Sequence, residues 1–505
     1  MNIITILIDS LNRDALSAYN PGTRVRTPNM DRLAAMSTVF DNHFVGSLPC
    51  MPARREFMTG RKDFLWRPWG PLEVFDPQLP KLMGEGGYRT AVVTDHYHYW
   101  EEASNGYIEP FHAIETVRGH EMDPWKSYEP DAPLPAWVER IAQYRGEHVT
   151  RQYYENIKDF KGEEDYFPAK VFTGASEWLK RNAKGPKFFL HVENFDVHEP
   201  FDAPEPYASM YTSDASQRDR FNIWPPYQNY AGLKAFMEQT SEEELEFLRS
   251  QYDAKVTMMD AWLGRLLDTM DELGLWENTM VVLTTDHGHD LGQRGVFGKQ
   301  YPHWDSHANI PLMIYHPAHA GTVKRQSGLS QTVDLFATVL DAGGVAVPAS
   351  TRHSRSLVPA LKAEKTGREV ALYGTFGQGV CLTDGEYTLF KSPVADTTPN
   401  VYSTYLAKSF LVDNQTPERK DEMPTKPVAS GYFDPTVDYP LWCYPMPVDP
   451  RTDVDFLFNR ADDPGLAENL WETAPERREA MLTLVKKTML DEGTPSEQFA
   501  RLGLV

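Results

Sequence analysis

The chain has 505 residues, of which 41% are hydrophobic and 12% aromatic, a composition typical of soluble globular proteins. Its 50 basic and 72 acidic residues give a net charge of −22, which argues against nucleic acid or an anionic membrane as a partner but does not exclude a small anionic substrate. Because the chain is too long for one ordinary core, we expect a large domain over residues 1–365 and a smaller one over 366–505.

The N-terminus and the cysteines indicate where the protein works. "MNIITILIDS" lacks the basic segment and cleavage site of a secretory signal, and no run is apolar enough to span a bilayer. The three cysteines, Cys50, Cys381 and Cys443, are widely spaced and odd in number, so no disulfide framework is implied. These features predict a cytoplasmic protein outside the membrane and leave the oligomeric state open.

Apolar strands and helices alternate from the N-terminus onward. "IITILI", residues 3–8, is short, apolar and β-branched, which predicts a buried strand. "RTPNMDRLAAMS" then opens a helix with Pro28 at its first position. A second helix near 77–84 stops at glycines before the predicted strand "TAVVT", and "KFFLHVENF" predicts another strand.

The clearest helix begins at "SEEELEFL", where Ser241 and Glu244 have capping-box spacing, and its apolar residues recur every three or four positions as far as Met270. Gly274 ends it, and "TMVVLTT" and "NIPLMIY" follow as strands. This alternation predicts an α/β fold with a mainly parallel sheet sandwiched by helices. Chemistry in such sheets gathers beyond the carboxyl ends of the strands.

The sequence pattern changes after about residue 365. "EVALYGTFGQGVCLTDGEYTLFKS" has two extended runs around the turn-forming "TDGE", which predicts a hairpin. A region rich in Pro and Tyr covers roughly 415–450, and a helix near 475–490 finishes the chain. We therefore expect a smaller C-terminal α+β domain with an antiparallel sheet.

Polar residues stand at three predicted strand ends, where core packing does not explain them. Asp9 ends "ILIDS", Asp286 and His287 end "VLTTDHG", and Asp196 and His198 follow "HVENF". A carboxylate beside a buried sheet is costly unless something neutralises it, and carboxylates with a histidine suit a divalent cation. The alternative for each aspartate alone is a turn or a helix cap.

The stretch "SLPCMPARREFMTG", residues 47–60, combines a cysteine with an arginine. "PARREFMTG" predicts a short helix that places Cys50 at its N-terminus, where the thiol pKa is expected to be lowered. Arg54 lies one turn further and can clamp an oxyanion on the same side. Cys50 is thus a candidate nucleophile or metal ligand; the alternative is a buried structural thiol beside a surface arginine.

"CMPAR" matches the C-x-P-x-R signature of the type I sulfatases, in the alkaline phosphatase superfamily, and the chain resembles that family in further segments. They occur in family order and are "TPNMDRLAAMSTVFDNHFV", "GYRTAVV", "LGRLLDTMDELGLWENTMVVLTTDHGHDLG", "VFGKQ", "NIPLMI" and "DFLFNRADDPGLAENL". The resemblance implies an alkaline-phosphatase-like fold for the large domain. It also implies that the enzyme is a sulfuric ester hydrolase.

The resemblance implies that Cys50 is chemically modified before it reacts. In that family it is oxidised by a formylglycine-generating enzyme to an aldehyde, whose hydrate attacks sulfur and then releases sulfate. Carried over, Asp9, Asp286 and His287 are expected to bind one divalent cation together with modified Cys50. Calcium is the ion that we expect first, with magnesium or manganese as alternatives.

Further catalytic roles follow from the same resemblance. Arg54 is expected to hold the hydrated aldehyde, and Lys299 in "FGKQ" to contact the sulfate group. His198 in "DVHEPF" corresponds to the family histidine near the leaving oxygen. We expect His198 to protonate the departing alcohol, because a histidine pKa can lie near neutrality.

The chain departs from the family pattern where substrate binds. Family members often have two acids after the first strand, whereas here Ser10 follows Asp9. "TDHYHYW" replaces the family's Gly-Lys-x-His. The residues expected to face the substrate there are Asp95, His96, Tyr97 and His98. Asn309 stands in place of an arginine. These changes affect the substrate class more than the fold.

Three functions remain in competition at this stage. The first is hydrolysis of aryl or carbohydrate sulfates, which the aromatic segments "DHYHYWEE", "DPWKSYEP" and "NIWPPYQNY" favour as surfaces for rings. The second is a phosphonate monoester or phosphodiester hydrolase of the same superfamily. The third is a catalytically degenerate binding protein, which predicts an unmodified thiol at Cys50 and no metal.

Overall fold

The computed structural model describes residues 1–505 except 102, 213, 229, 300–301, 352, 364, 395–396, 407–428, 431–438, 447 and 449–453. Much of the predicted irregular region over 415–450 therefore lies outside the described residues. Among those described, no helix is both long and apolar enough to cross a bilayer.

Strands and helices alternate through the first part of the chain, and strands dominate the second. The strands are β1 Asn2–Ile8, β2 Thr38–Phe44, β3 Ser47–Leu48, β4 Arg89–Thr94, β5 Ala113–Thr116, β6 Phe188–Asn194, β7 Thr279–Thr284, β8 Asp290–Leu291, β9 Phe297–Gly298, β10 Leu312–Tyr315, β11 Arg325–Gln331, β12 Ala371–Thr375, β13 Val380–Thr383, β14 Tyr387–Lys391, β15 Asn400–Ser403, β16 Ala429–Ser430, β17 Pro440–Pro445 and β18 Phe456–Asn459. The helices are α1 Pro28–Met36, α2 Cys50–Thr59, α3 Leu79–Glu85, α4 Ala136–Arg145, α5 Glu147–Ile157, α6 Phe167–Asn182, α7 Tyr230–Gln239, α8 Glu242–Glu272, α9 Asp305–Ala308, α10 Asp334–Ala342, α11 Pro475–Asp491 and α12 Ser496–Arg501.

An eight-stranded sheet forms the centre of the larger part, in the order β11-β2-β10-β7-β1-β6-β4-β5. Its strands β7, β1, β6, β4 and β5 are consecutive parallel neighbours, and β10 runs antiparallel to both β7 and β2. The predicted mainly parallel α/β sheet is confirmed. The carboxyl ends of β7, β1 and β6 consequently meet at one edge.

Strand β1 shows why the N-terminal run is apolar on both of its faces. Ile4, Ile6 and Ile8 belong to the core under α1, α6 and α8, whereas Ile3 belongs to the core under α2, α3 and α10. Successive side chains of a strand point to opposite faces, so a strand covered on both faces is apolar on both, and the buried Thr5 is accommodated by a hydrogen bond of 2.8 Å with His191 Nδ1. The seven residues of β1 are all buried.

Helix α8 is the long helix predicted from its apolar spacing. The Ser241 hydroxyl accepts the N–H of Glu244 at 3.1 Å, as an N-cap does. The Glu244 carboxylate instead accepts the N–H of Asn222 at 3.0 Å, so only half of the predicted capping box forms. The helix ends at Glu272, and Gly274 takes the left-handed φ of 64° that the chain reversal requires.

A second sheet, β18-β14-β13-β12-β3, covers the C-terminal part, and its β13–β14 pair is the predicted antiparallel hairpin. Its edge strand β3 comes from the first part of the chain and pairs in parallel with β12. Since β3 leads within two residues into α2 at Cys50, the C-terminal sheet fixes the start of that helix. The domain boundary at 365 stays a prediction.

The buried glutamate of α2 makes stability depend on pH. Glu56 is fully buried and accepts the N–H of Ser47, and burial raises its pKa to about 8. In the unfolded chain Glu56 has the ordinary glutamate pKa of 4.5 and loses its proton first, so stability falls as pH rises from 4.5 to about 8. We expect Glu56→Gln to flatten this fall, measured as the midpoint of urea denaturation across that range. Parallel losses of stability in variant and wild type would contradict the assignment.

Candidate active site

Three neighbouring parallel strands bring carboxylates to one edge of the sheet. Asp9 follows β1, Asp286 lies two residues beyond β7, and Glu193 is the penultimate residue of β6. All three are at most 1% exposed. Because a buried charge is costly, these carboxylates need cations or hydrogen-bond donors at the same place.

The predicted metal ligands lie together. One ligand atom each from Asp9, Cys50, Asp286 and His287 can be chosen so that all four lie within 4.8 Å of one another. All four residues are buried. The set combines carboxylate oxygens, an imidazole nitrogen and the position of the signature cysteine, which is a donor set suited to a divalent cation.

Arg54 joins the three carboxylates and is itself 1% exposed. Its terminal nitrogens donate to Asp286 Oδ2 at 2.7 Å and Asp9 Oδ2 at 2.9 Å, and its Nε donates to Glu193. One terminal nitrogen also donates to the carbonyl of Cys50 at 3.1 Å, one helical turn away. The predicted projection of Arg54 towards the cysteine side is therefore observed.

The charges of this cluster do not balance within the protein. Burial and the charge of Asp286 raise the pKa of Asp9. At Asp286, burial is outweighed by His287, Arg54 and hydrogen-bond donors, and the pKa is lowered. Three carboxylates facing one guanidinium leave a net negative charge, which a divalent cation would offset. The residues present therefore fit a metal ion.

His287 is arranged as a neutral ligand. Its Nδ1–H donates to the carbonyl of Gly288 at 2.9 Å, because a carbonyl can only accept. The other ring nitrogen, Nε2, lies 3.2 Å from Cys50 Sγ and 3.5 Å from Asp286 Oδ2. Burial lowers the pKa of His287 to about 4, so the lone pair on Nε2 is available at neutral pH.

The pKa of the Cys50 thiol differs from the one that the sequence predicts. Cys50 is the first residue of α2, as predicted, and is 4% exposed. The expected lowering of its pKa is wrong: burial and the nearby Asp9 raise the pKa well above its usual value, against the opposing charge of Lys299. Burial among carboxylates outweighs the helix terminus, so the unmodified side chain is a neutral thiol.

Ser10, which replaces the family's second acid, fixes both metal-site carboxylates. Its hydroxyl donates to Asp9 Oδ1 at 2.7 Å and its N–H donates to Asp286 Oδ1 at 3.1 Å. The residue adopts a left-handed φ of 61°, and its carbonyl accepts the hydroxyl of Tyr252 at 2.9 Å. This unusual backbone directs two donors of one residue at two carboxylates.

A second group of residues lies around His198. Its Nδ1–H donates to the carbonyl of Glu199 at 2.6 Å, and the Glu121 carboxylate lies 3.2 Å from the same nitrogen. Lys299 Nζ is 3.4 Å from Glu199 Oε2. Burial lowers the pKa of His198 well below its usual value, with Lys299 adding to the effect and Glu199 opposing it. The expectation of a near-neutral pKa is wrong, while the proton-donor role stays a prediction.

Lys299 stays protonated and positively charged at neutral pH because its pKa is raised. Burial opposes that charge, but Glu199, Cys50 and Asp9 outweigh it and raise the pKa of Lys299. Because Cys50 and Asp9 contribute to this rise in pKa, the Lys299 ammonium lies in the electrostatic field of the metal site. This position suits the predicted contact with the sulfate group.

Asp95 and His96 each have one polar side-chain atom with a partner in the protein and one without. Asp95 Oδ1 accepts the N–H of Phe195 at 2.6 Å, and His96 Nε2 lies 3.2 Å from Met51 Sδ. Among the described residues, Asp95 Oδ2 and His96 Nδ1 have no hydrogen-bond partner. Their predicted part in substrate binding stays a prediction.

Tyr97 and His98 connect the altered segment to the His198 group. The Tyr97 hydroxyl donates to Glu121 Oε2 at 3.0 Å, and His98 Nδ1 lies 2.7 Å from Glu101 Oε2. Glu121 therefore contacts both the substituted segment and His198, which makes this wall of the site anionic as well as aromatic.

Asp196, which the strand-end pattern marked with His198, does not join the metal cluster. Its carboxylate lies 2.8 Å from His120 Nε2 and 2.5 Å from Lys255 Nζ. Lys255 also donates to the carbonyl of His198 at 2.8 Å. Asp196 thus holds the loop that carries His198.

Sequence reasoning missed Glu193. Its second oxygen accepts hydroxyls from Thr94 at 2.9 Å and Tyr99 at 2.8 Å, so Arg54 is tied through Glu193 to the neighbouring strand. A charged residue inside the apolar run "FFLHVEN" was the available signal. Glu121 and Glu199 lie in loops and gave no comparable signal.

Comparison with known proteins agrees with this geometry. The sulfatase family model matches residues 1–345. The multifunctional alkaline phosphatase superfamily protein PehA of Trinickia caryophylli is 26% identical, with 72% of this chain and 77% of that protein covered. Mouse iduronate 2-sulfatase is also 26% identical, over 63% of this chain and 59% of its own.

A solved structure agrees in fold over nearly the whole chain. Phosphonate monoester hydrolase of Agrobacterium radiobacter superposes with a TM-score of 0.66 at 18% identity, covering 97% of this chain and 96% of that one. This likeness shows the alkaline-phosphatase-like fold. The family match covers more than half of the sequence, so the chain belongs to the sulfatase family, and the protein is a sulfuric ester hydrolase.

The contacts of Glu193 generate a prediction. Glu193→Gln removes the charge that fixes Arg54 Nε. We therefore expect kcat to fall at least tenfold while KM changes little. A tenfold fall corresponds to a loss of about 1.4 kcal/mol of transition-state stabilisation. Steady-state kinetics on an aryl sulfate test this. Glu56→Gln is the matched control, because Glu56 is equally buried and lies outside the cluster. Equal losses of kcat in the two variants would contradict a positioning role.

Proposed function

We propose that this sulfatase hydrolyses carbohydrate sulfate esters through a formylglycine formed from Cys50. The observation that carries the proposal is the convergence of Asp9, Asp286 and His287 on Cys50, with Arg54 bridging the two aspartates. The neutral, buried thiol also supports it, because such a group is a poor nucleophile until it is converted.

A divalent cation completes the proposed site. Asp9, Asp286, His287 and the group at position 50 would hold it. When bound, the cation lowers the pKa of a neighbouring hydroxyl and offsets the charge of the sulfate group. We favour calcium because the aspartates offer hard oxygen ligands, and magnesium and manganese also suit the set.

The chain's own residues then have distinct tasks. Arg54 orients the nucleophile, since its guanidinium is fixed on three carboxylates and reaches the Cys50 carbonyl. Lys299 binds a sulfate oxygen, because its raised pKa keeps it charged. His198 lies on the side of Lys299 and Glu199 and is the proposed donor of a proton to the departing alcohol.

The buried position of His198 shapes that last role. Its Nδ1–H is used by the Glu199 carbonyl, so only Nε2 can pass a proton to substrate. Because burial disfavours the imidazolium, the proton must be held there by nearby charge when substrate is bound. The Glu199 carboxylate, 3.5 Å from Nδ1, is placed to supply that negative charge.

A carbohydrate leaving group is supported by the walls of the site and by the family relatives. The Tyr227 hydroxyl lies 3.4 Å from His198 Nε2, the residue is 46% exposed, and an exposed aromatic face suits a sugar ring. A relative at 26% identity is an iduronate 2-sulfatase, which acts on a sugar sulfate. Maturation by a formylglycine-generating enzyme and a cytoplasmic location are part of the proposal.

Phosphonate monoesters are the second candidate substrate class. The likeness to a phosphonate monoester hydrolase and the absence of the family lysine at Asp95 favour it. Sulfate monoesters and phosphonate monoesters each carry one negative charge at the reacting group, so charge alone does not separate them. The family match favours sulfate.

Paired esters with the same leaving group test the proposal. We expect kcat/KM on 4-nitrophenyl sulfate to exceed that on 4-nitrophenyl phenylphosphonate by at least tenfold. Chelation should abolish both activities and a divalent cation should restore them. Cys50→Ala is the control for contaminating hydrolases, since it removes the nucleophile. A tenfold preference for the phosphonate ester would transfer the assignment to the second class.

A further inference from the structure

Arg145 is a cation beside the site whose charge acts on the Glu121 carboxylate without reaching ion-pair distance from it. It ends α4, is half-buried, and makes no ion pair or side-chain hydrogen bond with any residue that the structure describes. Its Nε–H is buried and lacks an acceptor in the same part of the chain. A guanidinium whose hydrogen-bond donors are used neither by Glu121 nor by any other described residue requires an explanation.

The other cations near the site are all used by carboxylates. Arg54 bridges three of them, and Lys255 and Lys299 pair with Asp196 and Glu199. Among these four cations, all in the part of the chain that the structure describes, Arg145 is therefore the one whose donors are left for a ligand.

Two aromatic rings hold Arg145 in place. Its Cζ lies 3.7 Å from the ring centroid of Tyr227 and 4.8 Å from that of Trp224. Trp224 is fully buried, whereas Tyr227 is 46% exposed. A guanidinium stacked in this way keeps its planar edge of N–H donors free to bind an anion in a fixed direction.

The same tyrosine connects Arg145 to the reacting centre. The Tyr227 hydroxyl lies 3.4 Å from His198 Nε2, and Lys299 Nζ lies 5.8 Å from the Tyr227 ring centroid. Arg145 and Lys299 therefore contact one ring, with the proposed proton donor at its edge. An ester whose sulfate lies at Lys299 and whose alcohol faces His198 would extend past Tyr227 towards Arg145.

We propose that Arg145 and Tyr227 form a subsite for a second anionic group on the leaving sugar, a carboxylate or a further sulfate. The subsite rests on the proposed function, since it gives that function a substrate class: saccharides that carry another anion beside the scissile sulfate. Bidentate N–H donation from a guanidinium suits both anions, and the exposed tyrosine face suits the sugar ring that carries them.

Binding measurements on a non-reacting variant test the subsite without turnover. In a Cys50→Ala background, we expect calorimetry to show glucosamine-2-N,6-O-disulfate binding about tenfold more tightly than N-acetylglucosamine 6-sulfate, a difference of about 1.4 kcal/mol. The two sugars share the 6-sulfate and differ in the second anion. Arg145→Gln should remove the difference by weakening only the disulfate.

Arg140→Gln is the matched control, because Arg140 lies on the same helix and pairs with Glu244 at 3.8 Å. It should preserve the tenfold difference. Equal affinities for the two sugars, no binding of either, or an equal loss of both affinities in Arg145→Gln would overturn the subsite; the last result would assign Arg145 to packing between α4 and the loop of Tyr227.

Turnover distinguishes failure of the subsite from failure of the proposed function. Hydrolysis of 4-nitrophenyl sulfate by the wild type, with no preference for the disulfate in the binding measurements, would overturn the subsite alone. Preference in binding by the Cys50→Ala protein, without hydrolysis of any sulfate ester by the wild type, would support the subsite and overturn the proposed function.

Discussion

The buried guanidinium of Arg54 is the interaction on which the rest of the site depends. Three carboxylates from adjacent strand ends surround it, and all four residues are nearly inaccessible to water. Breaking one partner of such a group typically costs about 3–5 kcal/mol, because the others are left uncompensated. The cluster therefore keeps a net negative charge beside Cys50, which Lys299, itself paired with Glu199, does not cancel.

Several features of the fold are needed to assemble this buried cluster around Arg54. Parallel pairing of β7, β1 and β6 brings the carboxylates to one edge, and a helix that starts at Cys50 places Arg54 one turn away. The second sheet contributes as well, since β3 belongs to it and leads into α2. Ser10 adds a strained backbone whose donors hold two aspartates.

Much of this could be predicted from the sequence, because the period of apolar residues and the strand-end polar residues are local signals. Strand β1, helix α8 and the β13–β14 hairpin are confirmed, and Asp9, Asp286 and His287 lie beside Cys50. Acidities could not be predicted: burial, which depends on the whole fold, raises the pKa of Cys50 and lowers that of His198. Glu193 is marked in the sequence only by its charge inside an apolar strand, and the aromatic partners of Arg145 are distant in sequence, so its neighbours do not reveal it.

The central claim is that the side chain at position 50 reacts as a hydrated aldehyde beside a cation, and mass spectrometry of the peptide spanning residues 47–54 tests it most directly. In protein of measured sulfatase activity, the account predicts a peptide that has lost one sulfur and two hydrogens and gained one oxygen, in proportion to activity across preparations. A peptide carrying only an unmodified cysteine in fully active protein would contradict it.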